Sequence, residues 1–437
     1  MGGFLIRGRI LVRAGTVGLS RRQFLGHSAQ QAATVAAGVA GLTGAAFAGL
    51  GDDRVRLGVI GLRNRGRELL EQLATLPHAE VVALCDVDDV PLAKAESYLS
   101  ATHRSRVAIE RDYRRLLDNS RIDAVVVATP DHSHVPIALA ACDAGKDVYL
   151  ETPGTHSYAE GWWLLAAIAR TGRIVQTGVT ERSVAAIDSA IEVVRSGRLG
   201  NVRTAKAWVA HRRRPIPAKA IGDAPENVDY ATWLGPHAER PFQPNRFHFN
   251  WRWYWDHGGG ELTHWGVRWI DVACRALQPG SPETIQAVGG KYHFHDDQET
   301  PDTLTVHWQF GGSQLTWEHR LWSPHGWEGR SSGVAFYGEQ GTLVVDRAGW
   351  KIYEQSAGAE TASGDATRDH LADFLQSVLT RRQPKAAFSE LREAEGLCHL
   401  GNVAYRVGRP LRFDAGSQQL TGDDEANRLL LPPYGMA

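Results

Sequence analysis

The sequence has little that would draw it to nucleic acid or to an anionic membrane: its 437 residues carry a formal net charge of −1, with no long basic tract. Arg212, Arg213 and Arg214 form a short run that reads as a solvated loop. Cysteine is scarce. Cys85, Cys142, Cys274 and Cys398 are far apart and sit in apolar segments. They lack the spacing of a zinc site and are expected as buried free thiols, not as a disulfide framework. The histidines show no ligand spacing either, His293 and His295 read as sheet residues, and no metal is expected. Internal repeats and long disordered linkers are absent. What remains is ordinary globular composition, 43% hydrophobic and 22% charged, in a chain long enough that two domains are the default. The 14 tryptophans are many for this size.

The N-terminus reads as a targeting segment. Ser20-Arg21-Arg22-Gln23-Phe24-Leu25 matches the twin-arginine pattern, after a basic stretch with Arg7, Arg9 and Arg13. A mildly apolar Ala/Gly-rich run follows, with Ala46-Phe47-Ala48 as a small-residue cleavage site. Gly38, Gly41 and Gly44 interrupt that run, which is too short and weakly apolar for a membrane span. Residues 1–50 are therefore set apart from the fold, with the twin-arginine export machinery as expected partner and a periplasmic or otherwise exported location. That route carries proteins already folded. A dissociable cofactor carried out this way would meet no free pool outside, so it should be tightly held and restored within each turnover.

From residue 54 short apolar strands alternate with helices. Strands are expected at 56–61, 81–85, 123–128, 147–150 and 173–176, with helices at 67–76, 136–144 and 158–171. Such alternation implies a parallel sheet covered on both faces, over residues 54–178. After residue 178 the texture changes. A helix over 185–196 precedes strand-like alternation from 281 to 353, with turn signals at Gly311-Gly312 and Glu339-Gln340-Gly341. Helices return at 368–379 and 389–405. Residues 179–437 thus read as an α+β domain built on a largely antiparallel sheet.

Gly58-Val59-Ile60-Gly61-Leu62-Arg63-Asn64-Arg65-Gly66 lies where a strand turns into a helix. Gly61 suits the tight turn, Gly66 suits close packing of helix on sheet, and the helix N-terminus suits a pyrophosphate. Arg63 replaces the middle glycine of the dinucleotide fingerprint. Asp86 ends the next strand, where a carboxylate accepts from ribose hydroxyls and repels a 2′-phosphate, which favours NAD over NADP; the bland alternative is a loop cap. Thr129, Pro130, His132 and His134 follow a buried strand at its C-terminal end, where ligands sit in open α/β sheets. His132 reads equally as a helix-capping or core histidine.

These segments, with Leu150-Glu151-Thr152-Pro153 and Gly258-Gly259-Gly260-Glu261-Leu262-Thr263, together resemble the Gfo/Idh/MocA oxidoreductases, a family named after glucose–fructose oxidoreductase, inositol dehydrogenase and a rhizopine-catabolism protein. The resemblance runs from residue 54 to about 432. It implies an α/β fold with an N-terminal Rossmann domain and a C-terminal domain carrying a large open sheet. It also implies homo-oligomerisation through that sheet and sugar or polyol substrates. Glu151 and Thr152 join the cofactor-binding set, with Asn64 and Arg65.

Two positions depart from the family. Thr152 stands where Glu-Lys-Pro normally supplies a lysine that polarises the reacting oxygen, and it carries no charge. Arg268 stands where the family's proton-accepting histidine is expected, and a guanidinium stays protonated. Helical spacing puts His264 and Arg268 at i, i+4, with Asp271 three residues further on. His264 is the preferred acid/base, with Arg268 and Asp271 orienting it or gripping substrate. A structural His–Arg–Asp network fits that spacing as well. His156 is the next candidate base.

Phe249-Asn250-Trp251-Arg252-Trp253-Tyr254-Trp255-Asp256 is dense in aromatics, which stack on sugar C–H faces, while Asn250, Arg252 and Asp256 suit hydroxyls. Trp253, Tyr254 and His257 are the expected substrate contacts. A core or interface strand explains alternating Trp251, Trp253 and Trp255 equally. The expected function is an exported oxidoreductase acting on a sugar, polyol or glycoside. The alternatives are a nicotinamide-assisted glycosidase or lyase, and a cofactor- and sugar-binding protein that has lost catalysis.

Overall fold

The computed structural model describes residues 53–103, 107–353 and 358–434; the expected twin-arginine segment lies outside them. Strands and helices first alternate: β1 (Val55–Ile60), α1 (Arg65–Leu73), β2 (Ala79–Cys85), α2 (Asp89–His103), β3 (Ala108–Glu110) and α3 (Tyr113–Leu117). Next come β4 (Ala124–Val127), α4 (Asp131–Asp143), β5 (Asp147–Leu150), α5 (Tyr158–Thr171) and β6 (Val175–Thr177). The six strands pair in parallel in the order β3-β2-β1-β4-β5-β6. Every residue of β4 and β5 is buried, as continuous apolar runs between two helical layers should be. Local signals fix the helix ends. α5 opens with a capping box between Ser157 and Glu160 and stops at Gly172, whose φ of 65° is left-handed.

The second layer begins with α6 (Ala185–Arg195), β7 (Thr204–Ala210) and the short α7 (Tyr230–Leu234). A π turn at Leu262–Gly266 leads into α8 (Val267–Leu277). Strands β8 (Thr284–Gly290), β9 (Thr303–Gln309), β10 (Gln314–Arg320), β11 (Ser332–Gly338), β12 (Gly341–Asp346), β13 (Gly349–Tyr353) and β14 (Gly358–Thr361) follow. The described chain ends with α9 (Ala366–Thr380), α10 (Phe388–Val407), β15 (Leu411–Asp414), β16 (Gln419–Leu420) and α11 (Asp424–Arg428). Ten strands form one sheet in the order β14-β13-β12-β11-β7-β10-β9-β8-β15-β16, antiparallel except where β7 meets β10. The fold is therefore α/β with a Rossmann sheet and a large, mostly antiparallel second sheet, as the sequence predicts.

Trp269, Trp308 and Trp317 are fully buried in the core between the large sheet and its helices. All four cysteines are buried and free. One helix crosses the expected boundary at residue 178. Leu371, Phe374, Leu375 and Val378 of α9 join Val55, Leu57, Val59 and Leu69 in one cluster, so α9 covers part of the first sheet.

Candidate active site

A cavity of about 490 Å³ opens at the C-terminal ends of β1, β2, β4 and β5. In an order that reverses direction at β1, this is where open parallel sheets bind ligands. Gly61 has φ 85°, and a Cβ there would lie 2.7 Å from the Ala128 carbonyl oxygen. A Cβ on Gly66 would lie 1.9 Å from the Gly61 carbonyl, so only glycine lets α1 start this close to the turn. Asn64 makes no side-chain cap; the Gly66 N–H is taken by the Arg63 carbonyl at 2.9 Å, while Asn64 and Arg65 at the start of α1 line the cavity. These features fit a dinucleotide pyrophosphate.

Asp86 lines the same wall. Its carboxylate accepts from the Leu62 N–H at 2.7 Å and the Asp88 N–H at 3.0 Å, so it does cap the glycine turn. Burial pushes its carboxyl up to about 6. Arg63, in place of a glycine, pairs with Asp88 at the cavity wall. Thr129, Pro130 and His134 border the cavity. His134 contacts the Pro153 carbonyl at 2.7 Å and the Thr129 carbonyl at 2.8 Å, which ties the loops after β4 and β5 together. His132 is a core histidine. It is fully buried, absent from the cavity wall, and held through Nε2 on the Trp233 carbonyl at 2.8 Å.

Glu151 and Thr152 follow β5. Arg65 donates to Glu151 at 2.9 Å. Burial works against the Glu151 charge, but the Arg65 and Arg268 guanidiniums outweigh it and hold its carboxyl below the usual range. The two residues that depart from the family meet here: Arg268 Nη2 donates to Thr152 Oγ1 at 2.7 Å. Arg268 Nη1 pairs with Glu181 at 3.1 Å, and Arg347 Nε donates to the other Glu181 oxygen at 2.7 Å. His264 borders the cavity beside them, projecting from the π turn that precedes Arg268. Burial, then the cations of Arg252 and Arg268, lower its pKa well below 6.5, so its imidazole is neutral.

Several expected site residues lie elsewhere. Asp271 does not orient His264 or Arg268; it points into the core, where Arg182 grips it at 2.9 and 2.7 Å. His156 lies outside the cavity wall, with Nε2 on the Trp255 carbonyl at 3.0 Å and a pKa lowered to about 3 by burial and by His237. Trp253 and Tyr254 pack with Ile216, Phe294 and Leu321, and the Tyr254 hydroxyl donates to Asp297 at 2.9 Å. His257 is buried among His132, Trp233 and His237. The cause is a 3-10 turn at Asn250–Trp253 where a strand's alternation was read. It brings Trp251 and Arg252 to the cavity and sends Trp253 and Tyr254 away. Sequence reasoning missed Glu181, which had no local signal because its partners lie 87 and 166 residues away.

Residues 55–179 match an oxidoreductase family with an NAD-binding Rossmann fold, and residues 205–295 and 357–436 match the C-terminal alpha/beta domain of the same family. The chain belongs to the Gfo/Idh/MocA oxidoreductases. Among curated relatives, a glycosyl hydrolase family 109 protein of Stenotrophomonas maltophilia is 31% identical over 192 residues, 42% of this chain and 41% of that one. A family 109 protein of Parabacteroides distasonis is 26% identical over 264 residues, 56% of each chain. The matched stretches thus span about half, or less, of these relatives' length. Aldose-aldose oxidoreductase from Caulobacter crescentus, solved with glycerol, shares the fold at a TM-score of 0.63 and 20% identity, over 82% of this chain and 100% of that one. Levoglucosan dehydrogenase, solved with NADH and L-sorbose, does so at 0.64 and 16%, over 82% and 99%.

Proposed function

We propose that this family member is an exported, NAD-dependent oxidoreductase that oxidises a carbon of a sugar, polyol or glycoside and ends each turnover with its cofactor restored. The contact between Arg268 and Thr152, beside a neutral His264 in the cavity wall, carries the reading. Bound nicotinamide supplies the hydride acceptor. His264 takes the hydroxyl proton as that carbon loses its hydride and becomes a carbonyl. Arg268, braced by Glu181 and Thr152, sits where negative charge develops on the reacting oxygen. The cation that the family places on residue 152 is thus delivered from residue 268, and the proton acceptor moves from 268 to 264. Asp86 favours NAD, because a carboxylate facing the ribose disfavours a 2′-phosphate. The Ser20–Leu25 pattern supports export.

The family 109 relatives favour a second use of the same chemistry, glycoside cleavage through transient oxidation. A carbonyl acidifies the neighbouring C–H, a base removes that proton, and the glycosidic substituent leaves with its electron pair. Restoring the alcohol afterwards returns the hydride.

The test begins with protein purified without added cofactor. Mass analysis of nucleotide released on denaturation should find NAD, and absorbance near about 340 nm should rise when the right sugar or glycoside is offered. His264→Ala should retain NAD and slow that rise by about 10²- to 10⁴-fold. Bound NAD that no sugar reduces would favour a binding protein without redox catalysis. No nucleotide and no uptake of NAD would sink the reading.

A further inference from the structure

Arg252 is a cationic residue of the cavity wall. Its Nε donates to the Phe249 carbonyl at 2.9 Å, and its guanidinium lies 4.1 Å from the Phe249 ring centre and 5.1 Å from that of Trp251. Stacking and that one hydrogen bond fix the group's plane. Among the described residues, no carboxylate forms an ion pair with it, whereas Arg268 and Arg347 share Glu181, and Arg65 holds Glu151. Two acids lie nearby without touching it. Asp131 is buried near the Gly259 N–H, and burial raises its carboxyl well above the usual range against the pull of Arg252. Glu261 is equally buried, and burial pushes it up to about 8. Burial disfavours the charged form of both, and neither forms an ion pair with Arg252.

A half-buried guanidinium is tolerated while water fills the cavity. A substrate that displaces the water must replace its solvation, and a neutral hydroxyl does so poorly. The planar fork matches a carboxylate, which it grips with two parallel hydrogen bonds. His264 lines the same cavity, its ring centre 5.9 Å from that of Trp251, on which Arg252 also lies, so the anchor sits beside the proposed proton acceptor.

We propose that the substrate is a sugar acid whose carboxylate pairs with Arg252 in the cavity, next to His264. This rests on the oxidoreductase reading for its meaning, but it is tested by binding alone. Calorimetry on the purified protein, with NAD present and again without it, would compare glucuronate with glucose, galacturonate with galactose and gluconate with sorbitol. The acids should bind about tenfold or more tightly than their neutral partners, with the advantage shrinking as salt rises. Arg252→Gln should abolish the advantage while NAD binding is retained. If that variant fails to fold, Arg252→Lys keeps the charge without the fork and should retain only part of the preference. Equal binding of acids and neutral sugars, binding of neither, or a preference that survives Arg252→Gln overturns the proposal. Loss of NAD binding with the acid preference intact would instead overturn the cofactor reading and leave this one standing.

Discussion

At the scale of single residues, the division of labour in the 264–271 segment is testable. Thr152→Val removes the hydroxyl that accepts from Arg268 and leaves the guanidinium less firmly placed. We expect turnover to fall about tenfold with KM little changed, measured on the sugar that reduces bound NAD. Asp271→Asn should behave differently. It leaves the Arg182 guanidinium buried without its countercharge, which costs about 3–5 kcal/mol. Urea melts should therefore shift strongly, and the activity of the protein that remains folded should be normal. The sequence put His264 and Arg268 together, since both lie on one turn-and-helix unit that borders the cavity. It misplaced Asp271 because a carboxylate's partner is chosen by tertiary packing, here an arginine 89 residues away.

At the scale of elements, α9 is the critical one. Phe374 is fully buried against the first sheet, and Phe374→Ala should cost about 3–5 kcal/mol in denaturant unfolding. Loss of cofactor affinity should accompany that cost, because the same sheet carries Gly61 and Asp86. Most strands of the first sheet were legible in the sequence, since apolar runs such as Ala124–Val127 have no polar face to confuse them. α2 was not, because its apolar positions are spread around the helix. The stretch containing Trp251 and Trp253 was ambiguous for a related reason. Alternating aromatics imitate a strand, while the backbone turns with a period near three.

At the scale of the whole molecule, buried titratable groups bound the pH range of stability from both sides. Folding lowers His132, His156 and His399 to about 3 through burial, and His319 and His370 to about 4. Each contributes stability that is fully present above its unfolded pKa near 6.5. As pH falls below that value the contribution drains at about 1.4 kcal/mol per unit, because the unfolded chain takes the proton first. Glu160 and Glu395 are raised to about 7 and Glu261 to about 8, again by burial. Their contribution is complete below about 4.5 and is lost as pH rises through 7 to 8. Melting temperature should therefore peak near about pH 6 to 7 and decline on both sides. Glu261→Gln should flatten the alkaline limb. The packing of α9 on the first sheet also bears on how the protein is made. A chain emerging N-terminus first completes all six parallel strands long before Thr380 leaves the ribosome. Until then, the apolar surface awaiting Leu371 and Phe374 stays uncovered, so a fragment ending before α9 should aggregate on release where the full chain does not.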